Sequence, residues 1–226
     1  LPIIVLSQDF TINPYLQNAN PNSITIMWEY SNWQVSFVEW GNTDTLGNLD
    51  STTFEITRSP SCLFTAKLTG LQSNTKYYYQ VTTGNSTSEM FDFYTPSTNI
   101  DEAPINILVM SDMQKSDNNP TKFSEIINDG IIDYVKDNYG GNTNENLDMI
   151  LIPGDLVGTG TNHLHWKDDF FSQSEPLFST VPFYPVLGNH EANANLYFQY
   201  MDLPENGTLG YEEHWWYKDY SNVRII

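Results

Sequence analysis

Two kinds of hydrophobic pattern divide the chain. From about Phe10 to Pro96 short runs follow one another, several alternating apolar with polar: Ser23 to Trp28, Val35 to Trp40, Leu63 to Leu68, Tyr77 to Thr83 and Met90 to Tyr94. Turn-forming residues separate them, among them Asn20-Pro21-Asn22, Gly41-Asn42 and Gly84-Asn85. Short strands so punctuated, with no helical stretch between them, predict an antiparallel β-sandwich. Beyond Ile105 the pattern changes to continuous apolar runs, Ile105 to Met110, Leu147 to Ile152 and Val181 to Leu187. Runs without a period of two suit strands covered on both faces, lying parallel and separated by helices. The intervening segments fit. Phe123, Ile126, Ile127, Ile131, Tyr134 and Val135 recur at helical spacing, from Asn119-Pro120 (N-cap and first helical residue) to Gly140-Gly141. His165 to Thr180, with Trp166, Phe170, Phe171 and Leu177, reads as a second covering helix despite Pro176.

Each continuous run ends in polar residues: Ser111-Asp112, then Pro153-Gly154-Asp155, then Gly188-Asn189-His190-Glu191. In a βαβαβ arrangement with right-handed crossovers the C-terminal strand ends share one edge, where open α/β sheets bind ligands. Asp112, Asp155 and Asn189-His190 should therefore converge. Two carboxylates, an amide oxygen and an imidazole suit hard or borderline divalent cations, and a carboxylate held between two metals can bridge them. Helix or loop capping accounts for either aspartate alone, but poorly for both together with Asn189.

The spacing of SDMQ at 111–114, Gly154-Asp155 and VPFYPVLGNHE at 181–191 resembles the first three blocks of the calcineurin-like metallophosphoesterases. Trp166 and Phe170-Phe171 ahead of the third block make the likeness strongest to the branch with purple acid phosphatases and their bacterial relatives. The resemblance implies an α/β metallophosphoesterase domain over 105–226, an αββα sandwich of which this sequence holds the first half. It implies a phosphoric ester hydrolase with two divalent metal ions (iron, zinc or manganese), a metal-bound hydroxide attacking phosphorus in line. By the same likeness Asp112 binds one metal, Asp155 bridges both, Asn189 binds the second, and His190 contacts the phosphoryl oxygen or protonates the leaving group. Glu191 is placed to orient His190.

A second resemblance lies upstream. In LTGLQSNTKYYYQV, the residues Leu71, Thr75, Tyr77, Tyr79 and Val81 are similar to the tyrosine-corner segment of fibronectin type III domains, with Tyr77 as the corner residue bonded to nearby backbone. Residues 1–97 are thus expected to form a fibronectin type III-like all-β sandwich with an N-terminal extension, joined through a linker from Ser97 to Pro104.

Departures matter as well. Many family members have histidine where Gln114 stands, and purple acid phosphatases place an iron-binding tyrosine where this chain has Gly158, so no purple chromophore is expected. The family's lone histidine and Gly-His-x-His block do not occur before Ile226, which predicts an incomplete site, feeble metal affinity and no turnover for this segment alone. The rival reading is a non-catalytic binding or adhesion module with a degenerate phosphoesterase domain. His163 and His165 form an H-x-H at a loop-to-helix start and are assigned to the rim, while His214, Trp33 and Trp40 are assigned to packing.

Composition narrows the partners. With 28 acidic against nine basic residues the formal charge is −19, which excludes nucleic-acid or anionic-membrane binding through a basic face. No apolar run reaches the ~20 residues of a membrane span, and the single Cys62 excludes an internal disulfide. The opening LPIIVLSQ reads as the tail of a secretion signal or as an edge strand, and the first reading implies an exported protein, extracellular or periplasmic. Near the end, Ala192 to Met201 predicts a short helix, and 214–217 with 223–226 two strands joined around Ser221-Asn222.

Overall fold

The computed structural model of the chain describes residues 10–98 and 104–226; the reading of LPIIVLSQ, and most of the linker, lie outside them. Nine antiparallel strands come first: β1 (Phe10–Asn20), β2 (Ser23–Tyr30), β3 (Ser36–Gly41), β4 (Asn48–Ser51), β5 (Thr53–Arg58), β6 (Ser61–Thr69), β7 (Lys76–Thr83), β8 (Ser86–Thr87) and β9 (Phe91–Tyr94). One sheet has the order β1-β2-β6-β5, the other β4-β3-β7-β8 with β9 also on β7. Trp28, Phe64, Tyr79 and Phe93 are buried between them, and the Trp28 indole N–H donates to Thr83 Oγ1 at 2.9 Å. The tyrosine corner is present, the Gln72 backbone N–H donating to the buried Tyr77 hydroxyl at 2.9 Å. Trp40 packs edge-on against Tyr77, whereas Trp33, expected to pack, is 55% exposed beside the exposed Phe54.

β1 escaped the alternation rule for a physical reason. Leu16 and Ala19 belong to the sandwich core, whereas Ile12 and Tyr15 belong to the core of the following domain. A strand buried on both faces shows no period of two. Across this junction Tyr15 donates to the Tyr200 carbonyl at 2.8 Å, Gln17 to that of Phe183 at 2.9 Å, and Tyr79 to that of Ser179 at 2.8 Å.

The second part is built on β10 (Ile107–Val109), β11 (Met149–Ile152) and β12 (Phe183–Pro185), parallel and adjacent in that order. Helical residues 122–139 and 165–178 pack against the sheet; Phe178 stacks on Phe183 with centroids 4.1 Å apart, and Phe170 meets Phe183 edge-on. Cover on both faces holds for β11 and β12 but not for β10, where Val109 is 61% exposed. Its register partner Leu151, and Tyr184 next to that on β12, share an apolar cavity of about 250 Å³ with Trp216 and Ile225.

Local chemistry moved several boundaries. The first helix starts at Lys122 with Thr121 as N-cap, because Asn119 is engaged in a turn that accepts from the Lys122 N–H. Gly140, at φ 73°, ends it. The last helix is only Asn195–Tyr200, since Ala192 and Asn193 turn left-handed at φ 48° and 58°. β13 (Lys218–Tyr220) and β14 (Val223–Ile225) pair around Ser221-Asn222, later than expected. Residues 214–217 form no strand: Trp216 turns inward to bond the Pro185 carbonyl, and Asn206 takes the Tyr217 N–H.

Candidate metal and phosphoester site

The segments that carry the three polar tips lie at one sheet edge. The strands bring Asp112, Asp155 and Asn189-His190 to their C-terminal ends, and hydrogen bonds tie each neighbour to Asp155. The Met113 N–H donates to the Asp155 carbonyl at 3.1 Å, and the His190 N–H donates to Asp155 Oδ1 at 3.1 Å. Both aspartates leave their strands at positive φ, 59° and 54°, a conformation that short polar side chains tolerate better than most. Asp112, Asn189 and His190 are exposed, Asp155 half-buried.

Glycine makes the junction possible. A Cβ on Gly188 would lie 2.1 Å from Asp155 Oδ1 and 2.2 Å from its backbone nitrogen, and one on Gly154, at φ 90°, would lie 2.8 Å from Gly188 Cα. Gly188→Ala should therefore destabilise the protein by about 1–3 kcal/mol through overpacking and displace the Asp155 carboxylate; urea unfolding together with metal titration reads both effects.

Glu191 does not orient His190 as the sequence reading had it. Its fully buried carboxylate accepts four backbone N–H groups, those of Asp155 and Gly188 at Oε2 (2.9 and 2.8 Å) and those of Leu156 and Val157 at Oε1 (2.9 and 3.2 Å). It clamps the second tip to the third. His190 is oriented instead by the Gly158 carbonyl, 2.9 Å from Nδ1. A carbonyl only accepts, so Nδ1 carries a proton and Nε2 is the nitrogen left for a ligand. That carbonyl, with the Asp155, Glu191 and Asp112 carboxylates, raises the His190 pKa above its ordinary value.

Gln114, half-buried, shares a cavity of about 250 Å³ with Asp112, Lys115, Asn119, Lys122 and Asp169, in which Lys115 pairs with Asp169 at 3.1 Å. His163 is not at the rim: it is buried and bonds Glu29 across the domain junction at 2.9 Å. His165 is half-buried with Nδ1 unpartnered beside Gly158, and His214 packs between Phe198 and Tyr211 as expected.

The donors present fit a hard or borderline divalent cation: two carboxylates and an amide oxygen on one edge, with Gly188 leaving room for the Asp155 carboxylate. The shell they offer is not closed, for among the described residues no group of three or more His, Cys, Asp and Glu side chains stands together as a metal site.

An antiparallel sandwich followed by a parallel β/α sheet with acidic tips defines a metallophosphoesterase fold. Residues 11–95 match the family described as "Purple acid Phosphatase, N-terminal domain" and residues 105–224 that described as "Calcineurin-like phosphoesterase". The chain belongs to the calcineurin-like phosphoesterase family, in its purple acid phosphatase-like branch. It is 30% identical to purple acid phosphatase 22 of Arabidopsis thaliana, over 55% of this chain and 24% of that protein. It is 26% identical to acid phosphatase A of Cryphonectria parasitica, over 76% of this chain and 39% of that protein. Among solved structures it is similar in fold to the purple acid phosphatase PPD1 of yellow lupin (TM-score 0.68, 21% identity, 92% of this chain and 42% of that one). It is also similar to PhoD (TM-score 0.68, 13% identity, 99% and 52%). The chain thus spans about a quarter to two-fifths of the length of these curated relatives. No helix among the described residues is long and apolar enough to cross a membrane.

Proposed function

We propose that the C-terminal edge of β10, β11 and β12 is the phosphoester-hydrolysing centre of this protein and works with two divalent ions. The observation that carries the reading is the joining of all three tips through Asp155, whose carbonyl and carboxylate hold the Asp112 and His190 segments together. Asp112, Asp155 and Asn189 would hold the ions, iron, zinc or manganese. When bound, the pair supplies Lewis-acid activation of water and neutralises charge on the phosphoryl group. The chain's own contribution is positioning: Glu191 fixes the backbone from 155 to 157 and at 188, and Gly158 fixes the His190 ring so that Nε2 can hold or deliver a proton to the leaving oxygen.

The test is hydrolysis of p-nitrophenyl phosphate and its bis ester by the protein in its longest expressible form, reconstituted with each metal in turn. His190→Asn should lower kcat by about 10²–10⁴-fold, the range for loss of a general acid. Full turnover by that variant, or no turnover with any metal, would sink the catalytic reading in favour of a binding module.

A further inference from the structure

A further cavity lies away from the sheet edge, in the cleft between the end of β5 and residues 192–199. At about 650 Å³ it falls within the ~300–1,000 Å³ of small-molecule sites, which concentrate at domain junctions. Thr57 and Arg58 line it from the sandwich, Thr161, His163, Asn193 and Asn195 from the phosphoesterase part.

Its base is rigid and built from both domains. Glu29, fully buried, accepts from Thr11 (2.7 Å), Thr57, Tyr200 (2.7 Å) and His163 Nε2 (2.9 and 3.1 Å). His163 is itself more than nine-tenths buried and has an Nδ1 with no hydrogen-bond partner among the described residues. Gln199, on the facing wall, is held by Glu55 Oε2 at 3.0 Å. The cleft is therefore preformed.

Its remaining polar groups are uncommitted. Lys76, Lys115, Lys122, Lys167 and Arg224 each pair with a carboxylate. Arg58, like Lys67, Lys136 and Lys218, has no acidic partner among the described residues, and of these four it is the one that lines the cleft; the side chains of Thr161, Asn193 and Asn195 make no hydrogen bond there. A guanidinium offers a planar fork to carboxylate or phosphate, while amides and hydroxyls both donate and accept, as sugar hydroxyls require. Ala192, Ala194 and Leu196 supply apolar wall for carbon-bound hydrogens.

We propose that this interdomain cleft is a binding site for a small polyhydroxylated anion, its acidic group on Arg58 and its hydroxyls on Asn193, Asn195 and Thr161. The site is independent of metal and of the hydrolysis proposed above. The experiment is calorimetric and NMR titration of the metal-free chain with 6-phosphogluconate, glucose 6-phosphate, gluconate, glucose and inorganic phosphate. The sugar acids should bind and shift the amides of residues 57–58, 161 and 192–199, with gluconate against glucose 6-phosphate showing whether carboxylate or phosphate is preferred. Arg58→Gln, on an exposed side chain, should weaken binding about tenfold or more, the loss of one charge-assisted pair; glucose should bind at least as weakly. No binding, equal binding by Arg58→Gln, or inorganic phosphate binding as tightly as the sugar acids would overturn the assignment. Each of those results would leave the hydrolase reading untouched.

Discussion

Glu191→Gln is expected to destabilise the protein by about 2–6 kcal/mol, although it preserves shape and size. Each carboxylate oxygen accepts two backbone N–H groups. Whichever way the glutamine amide is turned, its NH₂ end faces two donors and leaves both unpaired, at about 1–3 kcal/mol for each buried group. Because those amides belong to Asp155, Leu156, Val157 and Gly188, the damage falls on the loops that present the oxygens proposed to bind metal. Urea unfolding should report the stability loss and manganese titration a parallel loss of affinity; an unchanged midpoint would show that the clamp does not hold the site.

Glu29→Ala should cost a further class of stability, about 3–5 kcal/mol, as for any buried charge network losing one partner. Thr11, Thr57, Tyr200 and His163 all point at that carboxylate, two from each domain. Burial pushes the Glu29 carboxyl up, but the hydrogen bonds from His163, Thr57, Thr11 and Tyr200 outweigh it and hold the pKa below the ordinary value. A carboxyl lowered in the folded state stabilises the protein above its unfolded pKa, about 4.3, and that contribution is lost as pH falls through the folded value. The wild type should thus lose interdomain stability below about pH 4.3, and the alanine variant should lack this component of the acid transition. Superimposable pH profiles for the two proteins would contradict the assignment.

The division of the chain was legible because the two parts use different periods: alternating runs for the sandwich, continuous runs for the parallel sheet. The tips were legible too, since a buried strand that stops at Asp112, Gly154-Asp155 or Gly188-Asn189-His190 leaves its polar end at the sheet edge. What the sequence hid was contact between distant residues. Glu29 directly follows the alternating run that ends at Trp28, and only the packing of β2 against His163 and Tyr200 turns it into a buried junction. Glu191 read as a neighbour of His190, yet its acceptors are taken by backbone amides, that of Gly188 and those of Asp155, Leu156 and Val157 more than thirty residues upstream. β5 was passed over although Phe54 and Ile56 alternate with polar residues there, and both side chains are exposed in the fold.

The central claim is that the oxygens of Asp112, Asp155 and Asn189 grip cations together, and metal stoichiometry tests it most directly. Elemental analysis of the longest expressible form, dialysed after loading with manganese, should find two ions per chain in the wild type and a clear shortfall in Asp155→Asn, with the fold intact by circular dichroism. Equal metal content in the two proteins would contradict it.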